Sequence, residues 1–165
     1  MKEYVIPVYG IKTGIHEYEF DLDRSFFESF DSQELDNPSI KVGLTLEKMS
    51  AMLILSFEGS GNCKVPCDRC GAEMTLPINC KDRVIVKYGE VKPEDTDEII
   101  VLLPSEHELD VSERIYEMIM LNLPARMVHE SEDGCDQEAL KKLSSFKGDE
   151  DDPIDPRWEA LKKLK

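Results

Sequence analysis

Between residues 16 and 88, apolar side chains return at every second position, and that period decides the fold class. The run HEYEFDL (16–22) sets Tyr18, Phe20 and Leu22 against Glu17, Glu19 and Asp21. Successive side chains of a strand point to opposite faces, so this is a half-buried antiparallel strand. Val42, Leu44 and Leu46 repeat the pattern, as do Met74, Leu76, Ile78 and Cys80 opposite Thr75 and Asn79, and then RVIVKY (83–88). AMLILSFEG (51–59) is a longer apolar run, and IIVLL (99–103) reads as a final buried strand. Pro7 within YVIPVYGI (4–11) predicts an edge strand, because proline cannot donate to a ladder. Gly59, Gly61 and Asn62 predict a bend or bulge, and DSQELDNPS (31–39) and EVKPEDTDE (90–98) predict loops. Strands at this spacing imply a curved antiparallel sheet or small open barrel.

Helical signals are weaker before residue 110 and dominate after it. DRSFFESF (23–30) predicts a short helix with Phe26, Phe27 and Phe30 inward. DVSERIYEMIMLNLP (110–124) opens on Asp110 with Glu113 three residues on, a capping-box pattern, and Pro124 stops it. Ile115, Met118 and Ile119 form its apolar face. DQEALKKLSSF (136–146) predicts a second helix. KGDEDDP (147–153) reads as a charged linker before DPRWEALKKLK (155–165), whose Asp155 cap, Pro156 and terminal lysines suit a helix. The expected class is α+β: a curved antiparallel sheet or small open barrel with C-terminal helices. Residues 1–146 are expected to form a single α+β domain, with 147–165 an acidic linker and C-terminal helix.

Charge bounds the choice of partner. The chain has 165 residues and a formal net charge of −15, about −14 of it within residues 1–146. Nucleic acid is captured mainly by lysine and arginine, so a broad phosphate-binding face is disfavoured and direct nucleic-acid binding is left open. An acidic body suits a basic protein partner, since complementary fields speed encounter. The plainer reading is that acidity keeps the protein soluble. No run is apolar enough for a membrane helix and the start MKEYVIPVYG has no secretory pattern, so a cytoplasmic protein with no membrane partner is expected. Five cysteines is an odd number, and cytosolic thiols stay reduced, which argues against a disulfide framework.

The chemistry is concentrated in CKVPCDRCG (63–71). Cys67 and Cys70, followed by Gly71, have the spacing of half a tetrahedral zinc site. Cys63 shares a strand face with Val65 and Cys67 and is a candidate third ligand. Cys80 is in register with Leu76 and Ile78 and reads as core, where free cysteine commonly sits. The polar loop HESEDGC offers His129 and Cys135. Cys67, Cys70, His129 and Cys135 would make a Cys3His site holding a structural zinc. Against it, 58 residues separate Cys70 from His129, and the alternative is four unrelated residues. A thiol redox role for Cys67 and Cys70 would need a helix after the pair to lower the thiol pKa, and a strand is predicted there instead. His16 and His107 stand alone in acidic surroundings. Neither KPEDTDE nor GDEDD has calcium-loop spacing.

Taken in order, the strand-rich first half with C-x-R-C, the helix ending in LNLP, the loop with metal-type residues and the ending DPRWEALKKLK resemble the YceD family. Those are bacterial and plastid proteins tied to accumulation of large-subunit ribosomal RNA. The likeness is strongest at 63–71, 111–124 and 153–165, and DPR-x-x-x-L-x-x-L is its most specific part. It implies a non-enzymatic factor in large ribosomal subunit biogenesis. Its partner would be a basic ribosomal protein or pre-ribosomal particle. The family commonly carries a second cysteine group after the helix. Only His129 and Cys135 stand there, which implies a Cys/His variant of the site. The competing function is a thiol redox or other catalytic cysteine protein using Cys67 and Cys70.

Overall fold

The structure is a computed structural model that describes residues 2–32, 34–90 and 99–146. In chain order its elements are β1 (Val5–Pro7), β2 (Gly14–Leu22), α1 (Arg24–Glu28), β3 (Asp36–Lys48), β4 (Met52–Pro66), β5 (Glu73–Tyr88), β6 (Ile99–Leu102), β7 (Glu108–Asp110), α2 (Ser112–Leu121) and α3 (Gln137–Ser145). Strands β2-β3-β4-β5-β6 form one open sheet in that order, and β1 pairs with β7 in a small second sheet. The α+β class, the sheet and the helices that follow it are as the period-two pattern predicts.

Alternation places the core. Phe20, Leu22, Val42, Leu44, Leu46, Leu53, Leu55 and Phe57 are buried on one face, while Glu17, Glu19 and Asp21 are exposed on the other. Over that face lie Phe26 and Phe27 of α1 and Ile115, Met118 and Ile119 of α2. Phe30, just past the end of α1, stacks on Tyr116 of α2 with ring centroids 4.5 Å apart. Arg114 of α2 grips Asp82 of β5 through two bonds of 2.6 and 3.2 Å. Asp82 points to the helix-covered side between Cys80 and Val84, so this pair docks a charged position of the sheet without leaving it unpaired.

Several expectations need correction. The sheet is mixed, because β6 runs parallel to β5; IIVLL encodes a strand but not its direction. Three of the four β6 residues are only half-buried, since β6 is an edge. The segments 74–80 and 83–88 are one strand of 16 residues. The predicted loop 31–39 is shorter, because β3 already begins at Asp36. The capping box over Asp110 and Glu113 does not form. Val111 holds the cap position, and the Asp110 carboxylate instead accepts from the Ser112 backbone at 2.9 Å and hydroxyl at 2.6 Å. The predicted linker and terminal helix over 147–165 lie outside the described residues. Among the described residues no helix is long and apolar enough to cross a membrane.

Gly59 and Gly61 do not bend β4, which pairs with β5 without interruption from Met52 to Pro66. They are glycine because other atoms come close. A Cβ on Gly59 would stand 2.6 Å from Cys80 Sγ and 3.4 Å from Met118 Cε, and one on Gly61 would strike the Ser39 carbonyl oxygen. The irregularity lies on the partner strand, between Asp36 and Ser39, where Asn37 has φ +43°. Gly61→Ala should therefore cost about 2 kcal/mol or more of unfolding free energy in urea, because backbone must move. Gly43→Ala, whose Cβ would be 3.9 Å from Glu58 O, should stay within about 0.5 kcal/mol of wild type. Equal effects would mean that close approach is not what selects Gly61.

Candidate metal centre

The first half of the site is the turn of the β4–β5 hairpin. The ladder closes at Pro66↔Glu73. Cys67 N then donates to Ala72 O at 2.9 Å and Gly71 N to Cys67 O at 2.8 Å. Gly71 has φ +77°, a conformation that glycine adopts without strain. The turn brings Cys67 and Cys70 to one side, and strand β5 follows it at Glu73, as the sequence predicts.

The second half arrives from beyond α2. Asp68 N donates to Met127 O at 2.7 Å, and Met127 N donates to the Asp68 carboxylate at 2.6 Å. That reciprocal pair lays the loop beside the turn, and His129 follows two residues later. A short helical turn at Glu132–Gly134, with Cys135 N donating to Glu132 O at 3.0 Å, swings Cys135 back. Gly134 lies against the imidazole: a Cβ there would be 3.4 Å from the His129 ring, in van der Waals contact.

The result is one cluster. His129 Nδ1 is 3.8 Å from Cys70 Sγ and 3.6 Å from Cys135 Sγ. The ligand atoms of Cys67, Cys70, His129 and Cys135 all lie within 4.8 Å of one another. A tetrahedral zinc with Zn–S of about 2.3 Å and Zn–N of about 2.0 Å has edges of about 3.5 Å between nitrogen and sulfur and about 3.8 Å between sulfurs. The two nitrogen–sulfur distances given above lie close to that edge, and with every pair within 4.8 Å the set needs only small shifts to close on an ion. The donors fit too: three soft thiols and an imidazole are a zinc ligand set, with Cys67 and Cys135 2% and 5% exposed. Neither belongs to the main hydrophobic core.

Electrostatics separates the core thiols from the cluster. Cys63 and Cys80 are pushed above the ordinary thiol value by burial. Cys63 pairs across with Leu76 inside the core and does not join the cluster, which corrects its reading as a third ligand. It shares the inward face of β4, whereas Cys67 lies past the last ladder pair and is turned away. Cys80 is core, as predicted. Burial also pushes Cys67 up, but backbone N–H groups of His129, Arg69 and Cys70, and the His129 side chain, bring it down to about 6. Cys135 is pushed up, first by burial and then by the Cys70 thiol, with Arg69 acting the other way. His16 Nε2 donates to Lys12 O at 2.8 Å, and His107 packs edge-on against Tyr9; both are outside the cluster. The tie between Asp68 and Met127 has no signal in the sequence.

A protein-family model described as large ribosomal RNA subunit accumulation protein YceD matches residues 55–165. No curated protein and no solved structure matches the chain.

With the thiol of Cys67 lowered from 9.0 to about 6 in the folded chain, its thiolate is favoured by folding. The stability it adds is complete above about pH 9 and is lost as pH falls through about 6. In metal-free protein, ultraviolet thiolate absorbance should show one thiol titrating near pH 6, and Cys67→Ser should remove that step. Titration of every thiol near its ordinary value would refute the hydrogen-bonded geometry around Cys67.

Proposed function

This chain belongs to the YceD family, and from that membership we propose that it is a non-enzymatic cytoplasmic factor in large ribosomal subunit biogenesis. It acts through a basic ribosomal protein or a pre-ribosomal particle, with a structural zinc on Cys67, Cys70, His129 and Cys135. The observation that carries the reading is that the family match, residues 55–165, contains both halves of the cluster. A zinc there would be structural rather than catalytic, because four protein ligands leave no open position for water or substrate. Its work would be to fasten the loop after α2 to the hairpin turn.

The partner's sign follows from charge. Glu17, Glu19 and Asp21 are exposed along the outer side of β2, in a chain of net charge −15. Lys41 meets Asp21 at 3.2 Å, but both side chains are 82% exposed, so the pair neutralises little. A basic protein is drawn to such a surface and a bare phosphate backbone is repelled.

One observation favours the redox reading: Cys67 has a thiol brought down to about 6. Reaction also needs access, and Cys67 is 2% exposed. A thiolate that is stabilised and covered is a better ligand than nucleophile.

Elemental analysis of purified protein should find one zinc per chain. Thiol titration should show slow labelling that a chelator accelerates; fast labelling of protein that carries no metal would favour the redox reading. On chelation, amide exchange should rise over 127–135 while β3, β4 and β5 stay protected. Affinity capture from lysate, with bound species identified, should recover a basic ribosomal protein. Recovery of RNA alone would refute the protein-partner reading.

A further inference from the structure

Three thiolates, an imidazole and a zinc dication leave one surplus negative charge. At this centre that charge would be partly buried, with Cys67 and Cys135 buried and Cys70 and His129 half-buried, in a chain that already carries −15. Charge in such a place is costly without a partner. The structure supplies one. Arg69 stands between the two cysteines of the turn, and its Nη1 is 3.8 Å from Cys135 Sγ on the other half of the site. Its side chain is only 24% exposed. The competing carboxylate, Glu132, is 3.9 Å from the same nitrogen and 78% exposed, so it holds the guanidinium weakly. Arg69 therefore touches both halves: its backbone N–H faces Cys67, and its guanidinium reaches Cys135.

We infer that Arg69 is the positioning residue of the metal centre, offsetting its surplus negative charge and drawing Cys135 toward the ion. The inference rests on the zinc reading above. Groups outside the ligand set commonly change metal affinity by 10- to 100-fold, by orienting ligands and tuning their charge. Lysine at the same place keeps the charge but loses the planar fork, so it should substitute in part.

The test is Co2+ binding to the full chain, followed by the visible spectrum of tetrahedral thiolate ligation, with Zn2+ affinity from chelator competition. Arg69→Met should weaken both metals about tenfold while keeping the tetrahedral spectrum. Arg69→Lys should recover at least half of that loss on a logarithmic scale. Glu132→Gln should stay within about twofold of wild type, because the ion pair it removes is exposed. Circular dichroism checks that the sheet forms in each variant, and Arg69→Gln carries the same comparison if the methionine variant does not fold. Wild-type affinity in Arg69→Met, or no recovery in Arg69→Lys, overturns the inference alone. A wild-type chain that binds neither metal overturns the zinc reading and this inference with it.

Discussion

The site hangs from the pairing of β4 with β5. That ladder runs in unbroken register from Met52↔Lys87 to Pro66↔Glu73, and its turn is the segment that carries Cys67 and Cys70. A slip of one residue would send every side chain of a strand to the other face. Leu76 and Ile78 would leave the core and Cys80 would lose its place under Gly59. The register is thus fixed far from the thiols, by apolar burial along the whole hairpin. The turn inherits that precision without contributing apolar burial of its own.

The second half of the site has no comparable scaffold. Among the described residues, the loop's main chain is joined to the hairpin turn by the reciprocal pair between Asp68 and Met127. Met127 also packs partly against the core. A hydrogen bond contributes about 1 kcal/mol net, somewhat more with a carboxylate acceptor. Two of them form a weak fastener for a loop that must hold an imidazole and a thiol within tenths of an ångström. Structural zinc in small folds contributes roughly 10–16 kcal/mol of apparent binding free energy. In magnitude the metal would dominate the fastening, and the Asp68–Met127 pair would set where it is applied.

This division explains what could be read in advance. Period-two patterns were legible wherever one sheet face is buried, as at Phe20–Leu22 or Leu76–Cys80, because burial writes itself into the sequence every second residue. Strand direction at β6 was not, since apolar content carries no sign. Gly59 and Gly61 were misread for a related reason: a glycine that bends a strand and one that admits a neighbour look alike until the neighbour is known. Cys63 misled because the period-two pattern puts it on one face with Cys67, whereas the ladder ends at Pro66↔Glu73 and Cys67 is turned away beyond it. His129 and Cys135 could be nominated from ligand chemistry and a polar loop. Their meeting with the turn depends on a tertiary contact across 58 residues, in which the Asp68 backbone and carboxylate bond the Met127 backbone, and no side-chain period reveals it.

The consequence reaches α3. None of its residues is buried, so the hydrophobic effect does little to fix where it lies. Its N-cap, Asp136, accepts from Glu138 N and Ala139 N and directly follows Cys135. Gln137 bonds back to the Glu132 and Cys135 carbonyls. Leu143 and Phe146, both exposed, face a groove whose other wall includes Asp68 and Arg69. A helix held in this way takes its position from its first residues. Whatever fixes Cys135, whether an ion among the thiols or the guanidinium beside it, also fixes that groove. Among the described residues, α3 is thus a helix placed through its contacts at Cys135 rather than by burial of an apolar face.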